Sequence, residues 1–397
     1  MKRILILGIH LLYIVGVCAQ ANVDIEVLLQ QIKANNPELR TDMQRINAQK
    51  LANRTDNNLP DPTVSYSHLW GEKDSRETIG ELVVTQQFDF PTLYAARNKV
   101  NRLKAAALDN SFIRLRQQIL LQAQQWCIDI LMLQQQRDLL TERLKQAEQL
   151  STFYKKRLDT GDANILEANK TNLELLNART ELRNVQVALD KAWGELNTLN
   201  GGKEWTGGQP ARIADYPLPP LPDRAKLHDT YLKTLPEVRL AAAESAAAYR
   251  QITIERQGWL PKLELGYRRN TESHLGFSGL VAGISLPLFN NRHKVKTAEA
   301  QWIATTLQHQ IVLQKSENDL TQLCKEAAGL QASIREYHEA LQAGRSLELL
   351  RQAIEGGQIN VTEYFVEVSV IYQSRQNLLE LENRYRKIVA QINQNML

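Results

Sequence analysis

Hydrophobic and polar positions along the chain follow two different periods. Two long segments, Thr92 to Gln209 and Leu288 to Leu397, contain no proline and are rich in Leu, Gln, Ala and Glu, which favour helix. Within both segments apolar residues return at every seventh position. These positions are Phe112, Ile119, Trp126, Leu133, Leu140, Ala147 and Tyr154 in the first segment, and Leu313, Leu320, Ala327, Ile334 and Leu341 in the second. A heptad period sustained over this length predicts long helices that pack as coiled coils.

Two shorter stretches alternate with a period of two instead, and each begins after a Leu-Pro pair, Leu59-Pro60 or Leu260-Pro261. One side of each predicted strand is mainly apolar, with His68 and Gln86 as polar exceptions. The apolar positions are Val64, Tyr66, Trp70, Leu82, Val84, Phe88 and Phe90, then Leu263, Leu265, Tyr267, Leu280, Ala282, Ile284, Leu286 and Leu288. The pattern predicts four strands per chain. It is typical of membrane β-barrel strands, although a soluble half-buried hairpin has the same alternation.

The same order of features occurs twice along the chain. Asn36-Pro37-Glu38-Leu39-Arg40 recurs as Leu235-Pro236-Glu237-Val238-Arg239, and Gly161-Asp162-Ala163-Asn164-Ile165 recurs as Gly357-Gln358-Ile359-Asn360-Val361. Matches at a nearly constant offset indicate a duplication. We therefore predict a signal peptide over 1–19, a first repeat over 20–200 (helix, two strands, long helix, helix), a linker over 201–224 and a second repeat over 225–397. The linker contains Gly201-Gly202, Gly207-Gly208 and several prolines, as connecting segments do.

Glycines interrupt both helical segments, at Leu158-Asp159-Thr160-Gly161 and at Glu355-Gly356-Gly357. Because glycine suits the left-handed residue that ends a helix, each break predicts the tip of a helical hairpin. The first hairpin would join a helix over Thr92–Leu158 to one over Asn164–Leu199, and a further helix is predicted over Asp24–Asn58.

The N-terminus has the three parts of a secretory signal. Lys2 and Arg3 precede an apolar stretch, and Val17 and Ala19 provide small residues for cleavage before Gln20. Lipidation of Cys18 is the alternative. Cleavage after Ala19 would remove two positive charges and lower the net charge from +4 to +2. Cys127 and Cys324 remain and are interpreted as small packed hydrophobes, because two thiols do not make a disulfide framework.

Composition argues against several classes of function. A net charge of +4 over 397 residues gives no reason to expect a nucleic-acid-binding face. There is no nucleophile elbow, phosphate loop or zinc-type histidine spacing, so neither an enzyme nor a cofactor is predicted. His68, His274 and His293 are candidates for a metal path, but no pair has helical ligand spacing, and no metal site is expected. No apolar run downstream of Gln20 approaches the length of a spanning helix.

Four strands are too few to close a membrane barrel, since known barrels begin at about eight strands. An open edge in lipid leaves backbone groups unpaired. If the strands are in a membrane, two chains would provide eight strands and three chains twelve. The sequence alone leaves this choice open.

Several motifs carry a resemblance to a known family. They are Asn36-Pro37-Glu38-Leu39-Arg40, Leu59-Pro60-Asp61-Pro62, Gln86-Gln87-Phe88-Asp89-Phe90-Pro91 leading to Arg97, Arg157-Leu158-Asp159-Thr160-Gly161-Asp162, and Ser285-Leu286-Pro287-Leu288-Phe289-Asn290. In this order they resemble the TolC-type outer-membrane efflux proteins over essentially the whole mature length. The resemblance implies a mainly α homotrimer. Its twelve-stranded barrel would lie in the outer membrane of a Gram-negative bacterium, above a long periplasmic α-helical tunnel. It also implies a passive duct that contacts outer-membrane lipid, a periplasmic membrane-fusion adaptor and an inner-membrane pump, of the resistance-nodulation-division type or similar.

Site residues follow from the resemblance by motif position. Contacts with the adaptor at the periplasmic tips are assigned to Arg157, Leu158, Gly161, Asp162, Gly356 and Gly357. An acidic entrance gate is assigned to Asp159, Asp162 and Glu355, for which ordinary solvated tip residues are the alternative. The membrane-interface aromatics are Tyr66, Trp70, Tyr267 and Phe277, for which aromatics that cap a soluble sheet are the alternative.

Three other readings remain: a secreted coiled-coil structural or adhesin-like protein, a type I protein secretion duct, and a periplasmic adaptor. The adaptor would need lipoyl-like and barrel domains around one hairpin, whereas this chain has two equivalent halves.

Overall fold

The computed structural model describes residues 22–72, 77–203, 205, 212–221, 223–272, 275–289, 291–343 and 346–397. The predicted signal peptide with Cys18, the linker glycines Gly207 and Gly208, and His274 lie outside the described residues.

Helices make up most of the described chain, as the heptad pattern predicts. They are α1 (Ile25–Asn35), α2 (Pro37–Thr55), α3 (Pro91–Asp159), α4 (Ile165–Leu199), α5 (Arg224–Thr234), α6 (Pro236–Gln257), α7 (Lys294–Ala343), α8 (Ser346–Glu355) and α9 (Val361–Ile392). A 3₁₀ turn follows at Gln394–Met396. The predicted helices over Thr92–Leu158 and Asn164–Leu199 are confirmed to within one residue at each end.

The prediction of a single helix over Asp24–Asn58 is wrong, because two helices, α1 and α2, occupy this stretch. Pro37 cannot donate the backbone hydrogen bond that a helix interior requires, but it fits the first position of α2. The side chain of Asn36 caps α2, because its Oδ1 accepts a hydrogen bond from the backbone N–H of Leu39 at 3.0 Å. Asn36 is itself buried, so the break between the helices is enclosed by the protein.

The four predicted strands form one antiparallel sheet. They are β2 (Thr63–Trp70), β3 (Thr78–Phe88), β5 (Lys262–Glu272) and β6 (Leu275–Ser285), in the spatial order β2-β3-β5-β6. The two hairpins adjoin through β3 and β5, with Val84 opposite Tyr267. Among the described residues, the outer edges of β2 and β6 have no partner strand.

The register gives the sheet one apolar and one mainly polar face, since directly paired residues lie on the same side. The apolar face holds Val64, Tyr66, Leu82, Val84, Leu263, Leu265, Tyr267, Leu280, Ala282 and Ile284. The polar face holds Ser65, Ser67, Glu81, Thr85, Glu264, Arg268 and Asn270. Glu81 and Arg268 form an ion pair of 2.5 Å across this polar face. The apolar face is exposed in the single chain: Leu280 keeps 91% of its surface accessible and Ile284 keeps 67%.

Two features of the sheet have local causes. Gln86, a polar exception on the apolar face, donates its amide hydrogens to the backbone oxygens of Pro60 (2.6 Å) and Gln87 (3.0 Å). Gly266 lies so close to β3 that an added Cβ would be 2.4 Å from the Val84 oxygen, so only glycine fits there.

A second, two-stranded sheet was not predicted. β1 (Asn22–Val23) pairs in parallel with β4 (Arg212–Ile213). The backbone N–H of Ile213 donates to Oε1 of buried Gln134 at 3.3 Å, and Arg212 forms an ion pair of 2.8 Å with Asp138. Strands of two residues show no periodicity, so the pattern along the sequence does not reveal them.

The chain divides into two compact units, each built from discontinuous segments. The first contains residues up to Asn35, Ala123–Leu218 and Leu341–Asn383. The second contains Asn36–Gln122, Pro219–Ala340 and Arg384–Leu397, and so includes the four-stranded sheet.

No helix among the described residues is long and apolar enough to cross a membrane.

Neither Cys127 nor Cys324 forms a disulfide within the described part of the chain. Cys127 is buried, and burial raises the pKa of its thiol. This agrees with its interpretation as a small packed hydrophobe.

Candidate functional site

The α3–α4 tip (Arg157–Glu167) is a tight turn in which glycine is required. Gly161 has φ of 82°, in the left-handed region. The backbone N–H of Asp162 donates to the Arg157 oxygen at 2.7 Å, and the N–H of Gly161 donates to the Leu158 oxygen at 3.1 Å. This is the Schellman pattern, which satisfies the last carbonyls of α3 while the chain reverses.

Helix α4 then begins with a capping box. The side chain of Asn164 accepts from the N–H of Glu167 at 2.9 Å, and the side chain of Glu167 accepts from the N–H of Asn164 at 3.0 Å. Both donors would otherwise lack partners at the helix start.

The α8–α9 tip (Ala353–Glu363) repeats this arrangement residue for residue. Gly357 has φ of 70°, and the N–H of Gln358 donates to the Ala353 oxygen at 2.8 Å. Asn360 and Glu363 form the same reciprocal pair as Asn164 and Glu167, with both distances 2.9 Å. Gly356 is the first residue after α8, and its N–H donates to the Gln352 oxygen at 2.9 Å.

Most of the predicted tip residues also stabilise the turn itself. The Arg157 guanidinium donates to the backbone oxygen of Asp162 at 2.9 Å and lies 5.7 Å from the ring centres of Phe153 and Tyr154. The Thr160 hydroxyl donates to the Asp162 carboxylate at 2.8 Å. Leu158 is half-buried beside them.

The three predicted gate carboxylates have different surroundings. Asp159 is exposed, and no ion pair in the described part of the chain involves it. Glu355 is paired with Arg351 at 3.0 Å, and Arg351 also binds Glu348 at 2.6 Å. Hydrogen bonds from Arg351 lower the pKa of the Glu348 carboxyl, so α8 carries a compensated charge cluster. Asp159 and Asp162 are therefore the two carboxylates available at the α3–α4 tip.

One apolar cluster within the first unit lies beneath both tips. It consists of Leu150, Tyr154, Ile354, Val361, Tyr364, Val368 and Tyr372, with Ala163 and Ile359 from the two turns packed against it. Lys170 also donates to the hydroxyl of Thr362 at 2.8 Å, which joins the first turns of α4 and α9. The packing thus brings the two predicted tip regions together.

A charged cluster further along the same helices was missed in the sequence. The Arg143 guanidinium binds Glu174 (2.7 Å) and Glu181 (2.8 Å) of α4 and lies 5.4 Å from the ring centre of Tyr372 of α9. The Tyr372 hydroxyl donates to Gln146 at 3.1 Å, and burial raises its pKa to about 12. We name Arg143, Glu174, Glu181 and Tyr372 the Arg143 cluster. The available signal was the spacing of seven residues between the two glutamates, which places them on one face of α4.

The predicted interface aromatics do not all lie together. Tyr66, Trp70 and Tyr267 are on the apolar face, but Phe277 is on the opposite face, where it pairs with Asn270. The prediction for Phe277 is therefore wrong. Alternation along β6 already places its odd-numbered residues on the other face of the sheet from Leu280 and Ile284. Tyr66 and Tyr267 lie at mid-strand, so Trp70 is the residue nearest the hairpin end.

Of the candidate histidines, His68 and His293 are among the described residues, and neither belongs to a cluster of potential metal ligands there. The His68 ring lies between Tyr66 (6.5 Å) and Trp70 (4.9 Å). His293 is exposed, with φ of 68°. Among the described residues there is no group of three or more His, Cys, Asp or Glu side chains that could hold a metal ion.

Comparison with known proteins finds similarity to outer-membrane proteins, in sequence over part of the chain and in fold over most of it. Residues 227–396 match the family model described as outer membrane efflux protein. No curated protein sequence matches the chain significantly.

Solved structures share the fold at low sequence identity. A membrane protein from Pseudomonas aeruginosa is 14% identical with a TM-score of 0.79, covering 95% of this chain and 90% of its own. VceC from Vibrio cholerae is 17% identical with a TM-score of 0.76, covering 94% and 95%. The open state of MtrE from Neisseria gonorrhoeae is 14% identical with a TM-score of 0.74, covering 94% and 88%.

The fold that the motifs imply is thereby confirmed. The chain has the fold of solved outer-membrane channels, and the family model described as outer membrane efflux protein matches residues 227–396, which are less than half of its length.

Proposed function

We propose that the protein is the outer-membrane channel of a tripartite efflux system, a passive exit duct reached through a periplasmic adaptor from an inner-membrane pump. The observation that carries this proposal is the four-stranded sheet, which has two unpaired outer edges and an exposed apolar face. The match to an efflux-channel family supports the same conclusion.

The sheet requires other copies of the chain to be stable in a bilayer. Each unpaired backbone group in hydrocarbon costs several kcal/mol, so the edges of β2 and β6 must be paired there. Pairing β6 of one copy with β2 of the next gives a closed ring, and three copies supply twelve strands. β5 and β6 each contain eleven residues, so each strand extends roughly 36 Å at about 3.3 Å per residue. This length is enough for a tilted strand to cross an apolar band of about 25 Å.

The two tips are proposed as the periplasmic entrance and the surface that binds the adaptor. Arg157, Leu158, Gly161 and Asp162 shape the first turn, and Gly356 and Gly357 shape the second. Their shared pattern also supports the proposed division into two repeats with a linker over 201–224. In a trimer, Asp159 and Asp162 would form an acidic ring that favours cations at the entrance. The ion pair of Glu355 with Arg351 makes it a weaker member of that ring.

A pair of neighbouring substitutions in β6 tests the proposal. Leu280→Lys places a charge on the apolar face, which costs about 2–4 kcal/mol near the middle of a bilayer. Val281→Lys places the same charge one residue later on the polar face. For a membrane channel, we expect Leu280→Lys to lose outer-membrane fractionation, heat-modifiable gel mobility and single-channel conductance, and Val281→Lys to keep all three.

A water-soluble protein would respond differently. Leu280 is almost fully exposed in the single chain, so a lysine there would be harmless without a bilayer. A Leu280→Lys variant that behaves as the wild type, recovered from the soluble fraction, would refute the channel and favour the secreted structural or adhesin-like alternative.

A further inference from the structure

The connection from β6 to α7 exposes an apolar run next to a run of positive charge. We call residues 286–289 and 291–296 the junction segment. Leu286, Leu288 and Phe289 have 58%, 65% and 88% of their surfaces accessible. A large aromatic this exposed, four residues after the end of β6, has little packing role among the described residues.

Four basic residues follow: Arg292, His293, Lys294 and Lys296, all exposed. Within the described part of the chain, no ion pair involves Arg292, Lys294 or Lys296, and no acidic residue occurs between Ser285 and Ala298. Positive charge at the start of a helix opposes the helix dipole. The cluster is therefore not explained by the stability of α7, which has no acidic residue in its first turn.

In the corresponding connection in the first half of the chain, the charged and aromatic side chains contact other residues of the same chain. Asp89 forms an ion pair with Arg97 at 2.8 Å and a longer one with Lys262 at 3.6 Å, and its backbone N–H donates to the Tyr94 hydroxyl at 3.1 Å. Phe90 is half-buried there. A β-to-α connection of this fold thus does not require exposed aromatic and unpaired basic side chains.

An apolar groove opens at the same end of the sheet. It has a volume of about 570 Å³, and its lining is mainly apolar, with Phe88, Tyr94, Leu263 and Ile284 among the apolar residues and Asp89 and Glu264 as the acidic ones. Ile284 precedes the junction segment by two residues. Trp259, half of whose surface is accessible, lies just before β5 at this end. Exposed Trp and basic residues that flank an apolar surface are typical of a membrane interface.

We propose that the junction segment binds an anionic phospholipid of the leaflet nearest the helices, with the lipid phosphate at Arg292, Lys294 and Lys296 and an acyl chain in the groove. This inference rests on the proposed function, because it needs the sheet to be in a bilayer. Charge complementarity selects the ligand, since a zwitterionic lipid offers the same chains without net negative charge. Each basic residue near an anionic surface contributes a roughly fivefold gain in binding.

Native mass spectrometry of the detergent-solubilised protein, titrated with phosphatidylglycerol or phosphatidylcholine, tests the site. Wild type should bind phosphatidylglycerol at least about fivefold more tightly. The triple variant Arg292→Gln, Lys294→Gln, Lys296→Gln should lose this preference. A matched control, Lys99→Gln, Arg102→Gln, Lys104→Gln, removes the same charge from exposed positions of α3 and should keep it. If the first triple variant does not fold, Arg292→Gln and Lys294→Gln singly should each lower the preference.

Phe289→Ala separates the apolar part of the site from its charge. It should weaken the binding of both lipids alike and leave the preference unchanged. Dissociation of the oligomer by Phe289→Ala, with lipid binding intact, would assign the surface to a second copy of the chain and overturn the proposal. Complete displacement of phosphatidylglycerol by inorganic phosphate would also overturn it, because a free anion has no acyl chain.

The remaining outcomes are equally decisive. An undiminished preference in the first triple variant, or an equal loss in both triple variants, would contradict the assignment to the junction segment. Wild type that forms conducting channels without any lipid preference would refute only this inference. Wild type that never enters a bilayer would refute the proposed function itself.

Discussion

Substituting Arg143 by methionine tests whether the Arg143 cluster holds the three helices beneath the tips together. The guanidinium of α3 is within 2.9 Å of both glutamates on α4 and faces the Tyr372 ring on α9. Methionine retains much of the apolar stem of arginine, so the variant removes the charge and the forked hydrogen bonds with little loss of packing.

The magnitude follows from burial. The Arg143 and Glu174 side chains are only 14% and 18% exposed, so removing Arg143 leaves a largely desolvated carboxylate without a partner. Breaking a fully buried pair costs about 3–5 kcal/mol, and the residual exposure lowers the cost to about 2–3 kcal/mol. Glu181 is 42% exposed and adds little. We therefore expect Arg143→Met to destabilise the packing of α4 by about 2–3 kcal/mol.

Hydrogen exchange measures this locally. A loss of about 2–3 kcal/mol corresponds to a 30- to 150-fold faster exchange of α4 amides around Glu174 and Glu181. Arg143→Lys keeps the positive charge but loses the forked hydrogen bonds of the guanidinium. Its exchange rate should therefore lie between those of the wild type and Arg143→Met. The double variant Arg143→Met, Glu174→Met should recover much of the loss, because the only partner of Arg143 then left unpaired is Glu181, which is 42% exposed and can be solvated. An unchanged exchange rate in Arg143→Met, or no recovery in the double variant, would refute the reasoning.

Three further predictions concern the same unit. Gly161→Ala should accelerate amide exchange at Asp162 roughly 5- to 30-fold, since a left-handed non-glycine residue costs about 1–2 kcal/mol. The control Gly194→Ala, in the interior of α4, should instead slow exchange there. Equal effects of the two substitutions would contradict the turn assignment. Neutralising Asp159 and Asp162 to asparagine should lower cation selectivity in single-channel recordings, and unchanged selectivity would discard the acidic entrance. Burial raises the pKa of Tyr372 to about 12 from 10.0, so between these pH values the unfolded chain has lost a proton that the folded chain keeps, and stability falls as pH rises. Tyr372→Phe should reduce this alkaline loss in circular dichroism melts, and an identical pH profile would argue against it.

Local signals predicted most of the elements. The prolines, the heptad pattern and the alternation after each Leu-Pro pair predicted the long helices and the four strands, because each of these elements presents one consistent face at its own period. The tip glycines were found because a left-handed residue leaves few choices of side chain.

The failures have two kinds of cause. Two are local: Asn36-Pro37 carries a helix-start signal, Asn36 as the cap and Pro37 at the first position of α2, that the continuous helical pattern conceals, and Phe277 has the strand parity of the polar face. The others depend on residues distant in the sequence. The pair of β1 with β4 joins Val23 to Ile213, and neither strand has a pattern of its own. The Arg143 cluster needs three helices to meet, so heptad positions alone leave Arg143 among ordinary polar residues of a coiled coil.

The edges of the four-stranded sheet belong to opposite halves of the chain, with β2 at one border and β6 at the other. In the proposed ring, contacts between copies are therefore head-to-tail, and every seam uses two different borders. A subunit with a damaged edge at β2 or β6 can still pair with a neighbour through its other edge. The ring that contains it then remains open at the damaged edge. If damaged and intact subunits mix freely and equally in threes, only about one ring in eight is wholly intact. Lesions at these borders should thus behave as dominant when both alleles are expressed in one cell.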